Sequence, residues 1–237
     1  MQAFKLGEIS VDVDLKDIKN LHLSVYPPNG RVHISAPNHM DIDTIRMYAI
    51  SKLAWIKKQQ KRFREQAREI PREFINKESH FYLGKRYLMK VVEHNMPPVV
   101  SIKHNIIELR IKPNADTEKR QYILEQWYRN QLRMLVPPII RKWERTMKLS
   151  LNEFAIKKMR TKWGTCNSRA KRIWLNLELI KKPVDCIEYI IVHEMIHLIE
   201  RKHNERFVIL MDKYLPEWKQ LRMELNRFPI SHTDWKY

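Results

Sequence analysis

The stretch Val192-His193-Glu194-Met195-Ile196-His197 determines how the C-terminal half of this sequence is interpreted. Residues four apart on an α-helix lie on one face, about one turn apart. His193 and His197 can therefore present two imidazoles to one metal ion. Glu194 lies next to them, where a carboxylate can polarise a water molecule. The spacing predicts a helix that carries two metal ligands and a candidate general base.

A third histidine, His203, follows six residues after His197. The pattern H-E-x-x-H is that of zinc peptidases, in which catalytic zinc has three protein ligands and a fourth position left for water. Glu200 is the alternative third ligand, but we favour His203 because Glu200 is expected to extend the helix into a supporting role. The sequence therefore predicts Zn²⁺ bound by His193, His197 and His203, with Glu194 as general base.

The residues around the motif predict where its helix begins and ends. Asp185 and Glu188, three residues apart, are typical of a capping box, so the helix is expected to begin near Cys186. The pattern continues to about Glu200, and this length favours a helix over a strand. Asn204 is expected to cap the next helix.

Composition restricts the class of protein. The chain has 237 residues, of which 43% are hydrophobic, so one or two domains with a sizeable core are expected. No apolar run is long enough to span a membrane, and the first ten residues lack a signal-peptide hydrophobic region. The two cysteines, Cys166 and Cys186, form no C-x-x-C pair, which indicates a reduced, cytoplasmic protein.

The charge of the chain suggests a partner. The net charge is +18 and the isoelectric point about 9.9. Such an excess favours an acidic partner such as nucleic acid, although basic residues also simply solvate helix faces. Nothing in the sequence indicates the oligomeric state.

Residues 1–112 are predicted to form an N-terminal β-rich module. Short runs of period two predict its first strands, and a long helix follows at about residues 41–66, capped by Asp41 or Asp43. The basic stretch Lys57–Arg62 is either a solvated helix end or a phosphate-contacting patch. A second β region is expected to contain a hairpin around Gly84 and strands over Val99–Ile102 and Ile106–Ile111.

Residues 113–237 are predicted to form the catalytic domain. A helix is expected from Asp116 to about Lys148, kinked or divided at Pro137-Pro138. Two strands and two late helices complete the expected elements: strands over 158–162 and 172–179, and helices over 205–214 and 217–226. The exposed edge of a strand before the motif helix can pair with an extended peptide and place its scissile bond over the metal.

Several segments of the sequence resemble the YgjP-like metal-dependent hydrolases, a family related to the SprT-like and WLM metallopeptidases. The resemblance rests first on Arg160–Cys166, Leu175-Asn176, Tyr189–His197, His203-Asn204 and Phe207. It extends to Leu83-Gly84, Trp127-Tyr128-Arg129 and Tyr214–Trp218, and so covers nearly the whole chain. Two departures are Thr165, where the family usually has Ser, and Asn204-Glu205, where Ser is often found.

The resemblance implies an α+β protein. A small N-terminal β-sheet and helix module would precede a zincin-like catalytic domain, with the H-E-x-x-H helix packed on a small antiparallel sheet. It implies His193, His197 and His203 as zinc ligands, Glu194 as base and a protein or peptide as substrate. Because the SprT-like and WLM relatives act on proteins attached to DNA, it also suggests proteolysis near nucleic acid.

Three alternatives remain from the sequence. The motif histidines could be ordinary surface residues of an amphipathic helix. A closed structural zinc site could use Cys166 as fourth ligand, whereas Cys186 lies two turns before His193, about 10 Å along the helix and too far to share the ion. The chain could also be a basic nucleic-acid-binding module with an incidental metal site. His232 could reach the site, but it is expected to be a solvent-exposed tail residue.

Overall fold

The computed structural model describes residues 2–26, 29–65, 72–159 and 162–227. Its contacts divide the chain into two compact units, 1–67 and 68–237. This division differs from the predicted boundary at residue 112, because Met89 and Ile107 of the second β region are buried with Leu124 in the core of the second unit. In the described part of the chain, no helix combines the length and apolar character that crossing a bilayer requires.

The first unit contains one mixed sheet and two helices. Alternate residues such as Val11, Val13 and Ile34 are fully buried, as expected for strands with one face on a core. Strands β1 and β2 are antiparallel, β2 and β4 parallel, and β3 and β4 antiparallel, in the order β1-β2-β4-β3. The elements are β1 Gln2–Leu6, β2 Ile9–Lys16, β3 His22–Tyr26, β4 Arg31–Pro37, α1 Ile42–Ser51 and α2 Leu53–Glu65.

The long helix predicted at 41–66 is two helices. Asp41 caps α1 as expected, since its carboxylate accepts a hydrogen bond from the Thr44 N–H at 2.8 Å. Lys52 then leaves helical geometry, with φ −102° and ψ 5°, before α2 begins at Leu53. Neither Gly nor Pro marks this break, so the sequence carries no signal for it.

The first sheet of the second unit confirms the predicted strands and hairpin. Its order is β5-β6-β8-β7, with β6 and β8 parallel and the other pairs antiparallel. Gly84 lies in the hairpin turn at φ +78°, and a Cβ there would be 2.8 Å from Cγ of Pro183. The turn thus abuts the start of the motif helix. The strands are β5 Ser79–Tyr82, β6 Lys85–Glu93, β7 Val99–Lys103 and β8 Ile106–Ile111.

A single helix, α3, runs through Thr117–Met147 and is capped by Asp116, which accepts from the Lys119 N–H at 2.7 Å. Pro137 and Pro138 lie inside α3 and do not divide it, contrary to one of the two outcomes predicted. Buried residues recur every three or four positions on both sides of the prolines, so packing of one continuous apolar stripe stabilises the helix across them. They are Ile123, Leu124, Tyr128, Leu132, Val136, Ile140, Trp143 and Met147.

The sheet before the motif helix is mixed and not antiparallel as predicted. Its order is β10-β11-β9, in which β10 and β11 are antiparallel and β11 and β9 parallel. The strands are β9 Glu153–Lys157, β10 Gly164–Asn167 and β11 Arg172–Asn176.

The strand predicted over 158–162 is wrong for its described residues, because the strand lies earlier, at β9; residues 160 and 161 lie outside the described ranges. The Asn176 amide explains the difference. It donates to the carbonyls of Met159 and Lys162, both at 2.8 Å, so these two carbonyls are bound by a side chain and not by a neighbouring strand. The same side chain accepts from the Glu178 N–H at 3.2 Å, which ends β11 and begins a 3₁₀ helix at Leu177–Lys181 in place of the strand predicted through residue 179.

Three helices follow: α4 Val184–Ile196, α5 Glu205–Tyr214 and α6 Trp218–Arg227. The last two confirm the helices predicted on either side of Pro216. The predicted capping box of α4 is wrong, because Pro183 occupies the N-cap position and no side chain caps the helix. Glu188 instead accepts hydrogen bonds from Trp143 Nε1 at 2.7 Å and Lys142 Nζ at 2.6 Å, which ties α4 to α3.

Candidate metal centre

The motif helix α4 ends earlier than predicted. Its last residue is Ile196, His197 is the C-cap, and the predicted continuation to Glu200 is a tight turn. In that turn the N–H groups of Leu198 and Ile199 donate to the carbonyls of Met195 and Ile196, at 3.0 and 2.8 Å. Bonds between residues three apart tighten the last turn of a helix and satisfy its free carbonyls. The chain can then turn back towards α4 within a few residues.

This reversal brings the three predicted histidines together. Nε2 of His203 lies 3.0 Å from Nε2 of His193 and 3.1 Å from Nε2 of His197. Among the described residues, these three form a group whose ligand atoms all lie within 4.8 Å of one another. An N–H that is well aligned with one of these acceptors is poorly aligned with the other, so hydrogen bonding accounts for only part of this arrangement.

The spacing of the three nitrogens suits a metal ion of zinc's size. A tetrahedral site with metal–nitrogen bonds of about 2.0–2.1 Å separates its nitrogens by about 3.3 Å. The separations of 3.0 and 3.1 Å between His203 and its two neighbours are within a few tenths of an ångström of that value. Three imidazoles are also a donor set that favours zinc over magnesium or calcium.

The surroundings fix the orientation of the rings. Nδ1 of His197 lies 2.9 Å from the Glu200 carbonyl oxygen. A proton on Nδ1 satisfies that carbonyl and leaves Nε2 free to bind a metal, as is common for metal-ligating histidines. The Phe207 ring packs against all three imidazoles, with centroid distances of 4.9, 4.8 and 4.7 Å. Phe207 is positioned by Asn204, whose side chain caps α5 by accepting from the Phe207 N–H at 3.0 Å, which confirms the predicted cap.

The carboxylate of Glu200 is used elsewhere. It accepts from the Lys202 N–H at 3.1 Å and is not part of the ligand group, so Glu200 contributes its main-chain carbonyl to the orientation of His197.

The electrostatic environment favours the neutral forms of His193 and His203. Burial, followed by the neighbouring imidazoles and Arg222, lowers the pKa of His193 to about 3. Burial, with smaller contributions from His197 and Arg222, also lowers the pKa of His203. Neutral imidazole is the form that binds metals, so this environment disfavours the competing proton.

Glu194 is only 5% exposed and points away from bulk solvent. Burial raises the pKa of Glu194 to about 8, and the Lys162 ammonium opposes that shift. A cation bound by the adjacent histidines would lower the pKa of Glu194, because an opposite charge favours the ionised form.

Gly164 of β10 leaves the space that the Glu194 side chain occupies. A Cβ at Gly164 would lie 2.7 Å from both Cγ and Oε1 of Glu194, and 2.9 Å from its Cδ. From the sequence this glycine is expected in a turn, whereas it is the first residue of strand β10. The signal that could have found it is a glycine inside a strand pattern, which often marks a close approach of another group.

The Gly164→Ala variant is expected to displace the Glu194 carboxylate, because the new Cβ would lie only 2.7 Å from Cγ and Oε1 of Glu194, closer than non-bonded atoms can approach. We expect the catalytic rate to fall by about tenfold to a hundredfold, since a misplacement of about 1 Å can cost that much. Turnover and the content of bound metal should be measured on the same samples. Gly7→Ala provides the comparison for a Gly→Ala change without a steric contact, because nothing lies within 4 Å of its added Cβ; since its φ is +59°, we expect this variant to lose some stability and no activity. Full activity of Gly164→Ala would contradict the tight contact.

The two cysteines do not join the histidines. Cys166 is half-buried, and burial together with the Glu194 charge raises the pKa of its thiol to about 11. Cys186 is buried, with Sγ 3.8 Å from the Leu221 carbonyl and a pKa that burial raises to about 12. Since the thiolate is the metal-binding form, both environments disfavour a cysteine ligand. His232 lies outside the described residues.

A histidine triad beside a buried glutamate is typical of metal-dependent hydrolases. A family model described as "YgjP-like, metallopeptidase domain" matches residues 19–228, well over half of the chain. The chain therefore belongs to the YgjP-like metallopeptidase family, and is a metal-dependent hydrolase that acts on proteins or peptides. The family implies a divalent metal.

One solved structure with local similarity is the metallopeptidase zymogen jannalysin of Methanocaldococcus jannaschii. It is 20% identical, the match covers 37% of this chain and 90% of that chain, and the TM-score is 0.33. No curated protein matches the sequence.

Proposed function

We propose that the protein is a zinc-dependent peptidase in which His193, His197 and His203 hold the metal and Glu194 is the general base. The observation that carries this proposal is the convergence of three Nε2 atoms, together with a buried carboxylate on Glu194, the residue after His193. Three neutral imidazoles fit zinc in number, spacing and chemistry.

Each group of the site has a proposed role that follows from its chemistry. Bound zinc would supply Lewis-acid activation of water and of the scissile carbonyl. Glu194 accepts the proton that the attacking water loses and delivers it to the leaving amine. The Glu200 carbonyl keeps His197 in the tautomer that ligates through Nε2. Burial of Glu194 excludes bulk water, which strengthens its electrostatic interactions.

Strand β10 is the proposed platform for the substrate. It is the edge strand of its sheet, and its Gly164 touches Glu194. An extended peptide that adds to this edge through main-chain hydrogen bonds would lie beside the general base. This placement supports a polypeptide substrate bound in extended form.

Removal of the metal tests the proposal. Dialysis against a chelator is expected to abolish cleavage of an unfolded protein substrate, and stoichiometric Zn²⁺ is expected to restore it. Elemental analysis before and after provides the metal count. Unchanged cleavage by protein shown to be metal-free would contradict a metal-dependent mechanism.

We also propose that the protein associates with nucleic acid through its basic surface. The supporting observations are the net charge of +18 and an exposed face of α2 that carries Lys57, Lys58 and Lys61. Contacts with phosphates release counterions, so binding to duplex DNA is expected to weaken steeply between 50 and 200 mM salt. Replacing the three lysines with Gln should reduce the salt slope by about three. An affinity that is independent of salt would contradict this association.

A further inference from the structure

A cavity of about 460 Å³ borders the edge strand β10. In β11, the cavity is lined by Arg172 and Trp174, which alternate with the buried Ile173 and Leu175. Its walls come from β10 and the turn after it, from Arg172 and Trp174 of β11, and from Arg201 in the segment between α4 and α5. Arg201 lies two residues before His203, and Gly164 of β10 touches Glu194. The cavity is thus built from the same strand and the same segment that form the candidate metal centre.

The cavity is strongly basic. Three arginines, Arg169, Arg172 and Arg201, line it, and no Asp or Glu is among its described lining residues. Arg169 and Arg201 are exposed. Arginine presents a planar fork of donors that binds a carboxylate through two parallel hydrogen bonds. Three such groups in one cavity of this size would repel one another unless an anion neutralises them.

Arg172 has remaining donor capacity. Its Nη1 lies 3.5 Å from a carboxylate oxygen of Glu153, which is a long contact with a largely exposed partner. Its Nε is buried and has no hydrogen-bond partner among the described residues. The Arg172 side chain as a whole is 32% exposed, so its Nη donors remain available to a ligand carboxylate in the cavity.

Trp174 lines the cavity, and two cations pack against its ring. The Arg172 guanidinium lies 4.8 Å from the ring centroid and Lys157 Nζ lies 3.2 Å from it. Cations over an indole ring are held in place by its quadrupole. The contacts with the Trp174 ring therefore hold the positive charges of Arg172 and Lys157 in position at this side of the cavity.

We propose that this cavity is a specificity subsite that binds an acidic side chain of the peptide substrate. The proposal rests on the proposed peptidase function, because the ligand must be part of a chain that also reaches Glu194. A peptide added to the edge of β10 points alternate side chains to opposite faces of the sheet. Thr165 and Trp174 are paired across β10 and β11, and both line the cavity. Peptide side chains that point to the same face of the sheet would therefore enter it.

An oligonucleotide phosphate is the other anion that arginines and a tryptophan could bind. Proteins that hold single-stranded nucleic acid combine stacking platforms with a basic groove that follows many phosphates. Here the three arginines line one compact cavity, which is also lined by residues of β10. Gly164, in the same strand, lies against Glu194. These features favour one carboxylate presented by a bound peptide.

The test uses full-length Glu194→Gln protein loaded with zinc, so that peptides bind without being cleaved. Labelled peptides of one neutral sequence, with a single Glu moved along it, are compared with the all-Gln parent by fluorescence anisotropy at about 150 mM salt. We expect Glu at one position to bind about tenfold more tightly than Gln. The preference should vanish, and Lys should be preferred there, when Arg169→Glu and Arg201→Glu are added.

The control for overall charge is Arg133→Glu with Arg141→Glu, because both arginines are exposed on α3 and lie outside the cavity. It changes the net charge equally and should keep the preference for Glu. Equal binding of Glu and Gln peptides, or equal loss in both double variants, would overturn the subsite while leaving the metal-removal result intact. Conversely, failure of metal removal to affect cleavage would overturn the peptidase mechanism without changing the binding result.

Single-stranded DNA is measured with the same proteins. If DNA binding is lost in the Arg169→Glu, Arg201→Glu protein and kept in the α3 control, and no peptide position prefers Glu, the cavity is a phosphate site and the peptide assignment is overturned. If DNA binds the two variants alike and the Glu preference disappears only from the cavity variant, the subsite is supported.

Discussion

The Glu194→Gln variant is expected to lose a factor of about 10² to 10⁴ in turnover while it keeps its metal. Glutamine has the same shape as glutamate but cannot accept a proton from water. The substitution also leaves the three imidazoles unchanged, and it fits the space beside Gly164 because no heavy atom is added. A loss confined to kcat would identify an interaction made in the transition state.

The measurement is steady-state cleavage of one protein substrate with zinc content determined on the same samples. Glu200→Gln is the matched control, because its carboxylate accepts from the Lys202 N–H and a glutamine oxygen can do the same. We expect this control to retain activity within a few-fold of wild type. If Glu194→Gln cleaved as fast as wild type, another group would have to act as base.

The histidine triad could be predicted from sequence because its geometry depends mostly on local periodicity. His193 and His197 are one helical turn apart, and only a short loop is needed to return His203. What the sequence did not reveal is how the return is made. α4 ends at Ile196, three residues after His193, because the tight turn at Leu198 and Ile199 satisfies its last carbonyls without a glycine.

The mispredicted segments share a cause, which is competition from tertiary partners. Asp185 and Glu188 have the spacing of a capping box, yet Glu188 bonds to Trp143 and Lys142 of α3, more than forty residues away in sequence. Asn176 interrupts a strand pattern of good alternation because its side chain binds the carbonyls of Met159 and Lys162 and the N–H of Glu178. Neither set of partners can be inferred from local pattern alone.

The second β region packs with the C-terminal elements through tertiary contacts that the local sequence pattern does not reveal. Strand periodicity predicted β5 to β8 correctly but could not show what their buried face contacts. Met89 and Ile107 pack with α3 residues such as Leu132 in one core. Gly84 abuts Pro183, and the N–H of Leu83 donates to the Ile180 carbonyl at 2.8 Å, so the hairpin supports the segment that leads into α4.

The His203→Ala variant is expected to lose zinc affinity by at least a hundredfold. Changes to outer-shell partners of metal ligands typically cost about 10- to 100-fold, and removal of a ligand itself should cost more. Because His203 is exposed, its truncation should leave the metal-free fold intact. Excess zinc at about 100 times the dissociation constant stabilises a protein by about 2.7 kcal/mol. Wild type should therefore melt at a higher temperature with zinc, whereas His203→Ala should show little change.

Competition with a chromogenic chelator provides the affinity, and thermal unfolding with and without zinc provides the linked stability. His22→Ala is the control, since His22 is exposed in the first unit and belongs to no metal-binding group of the described residues. Cys166→Ser and Glu200→Ala separate the rival ligands. Zinc affinity that falls in Cys166→Ser as well as in His203→Ala would indicate a closed structural site with Cys166 as fourth ligand, whereas a fall in Glu200→Ala alone would make its carboxylate the third ligand. We expect only His203→Ala to lose the metal, because its Nε2 is the atom that lies within 3.1 Å of both other imidazoles.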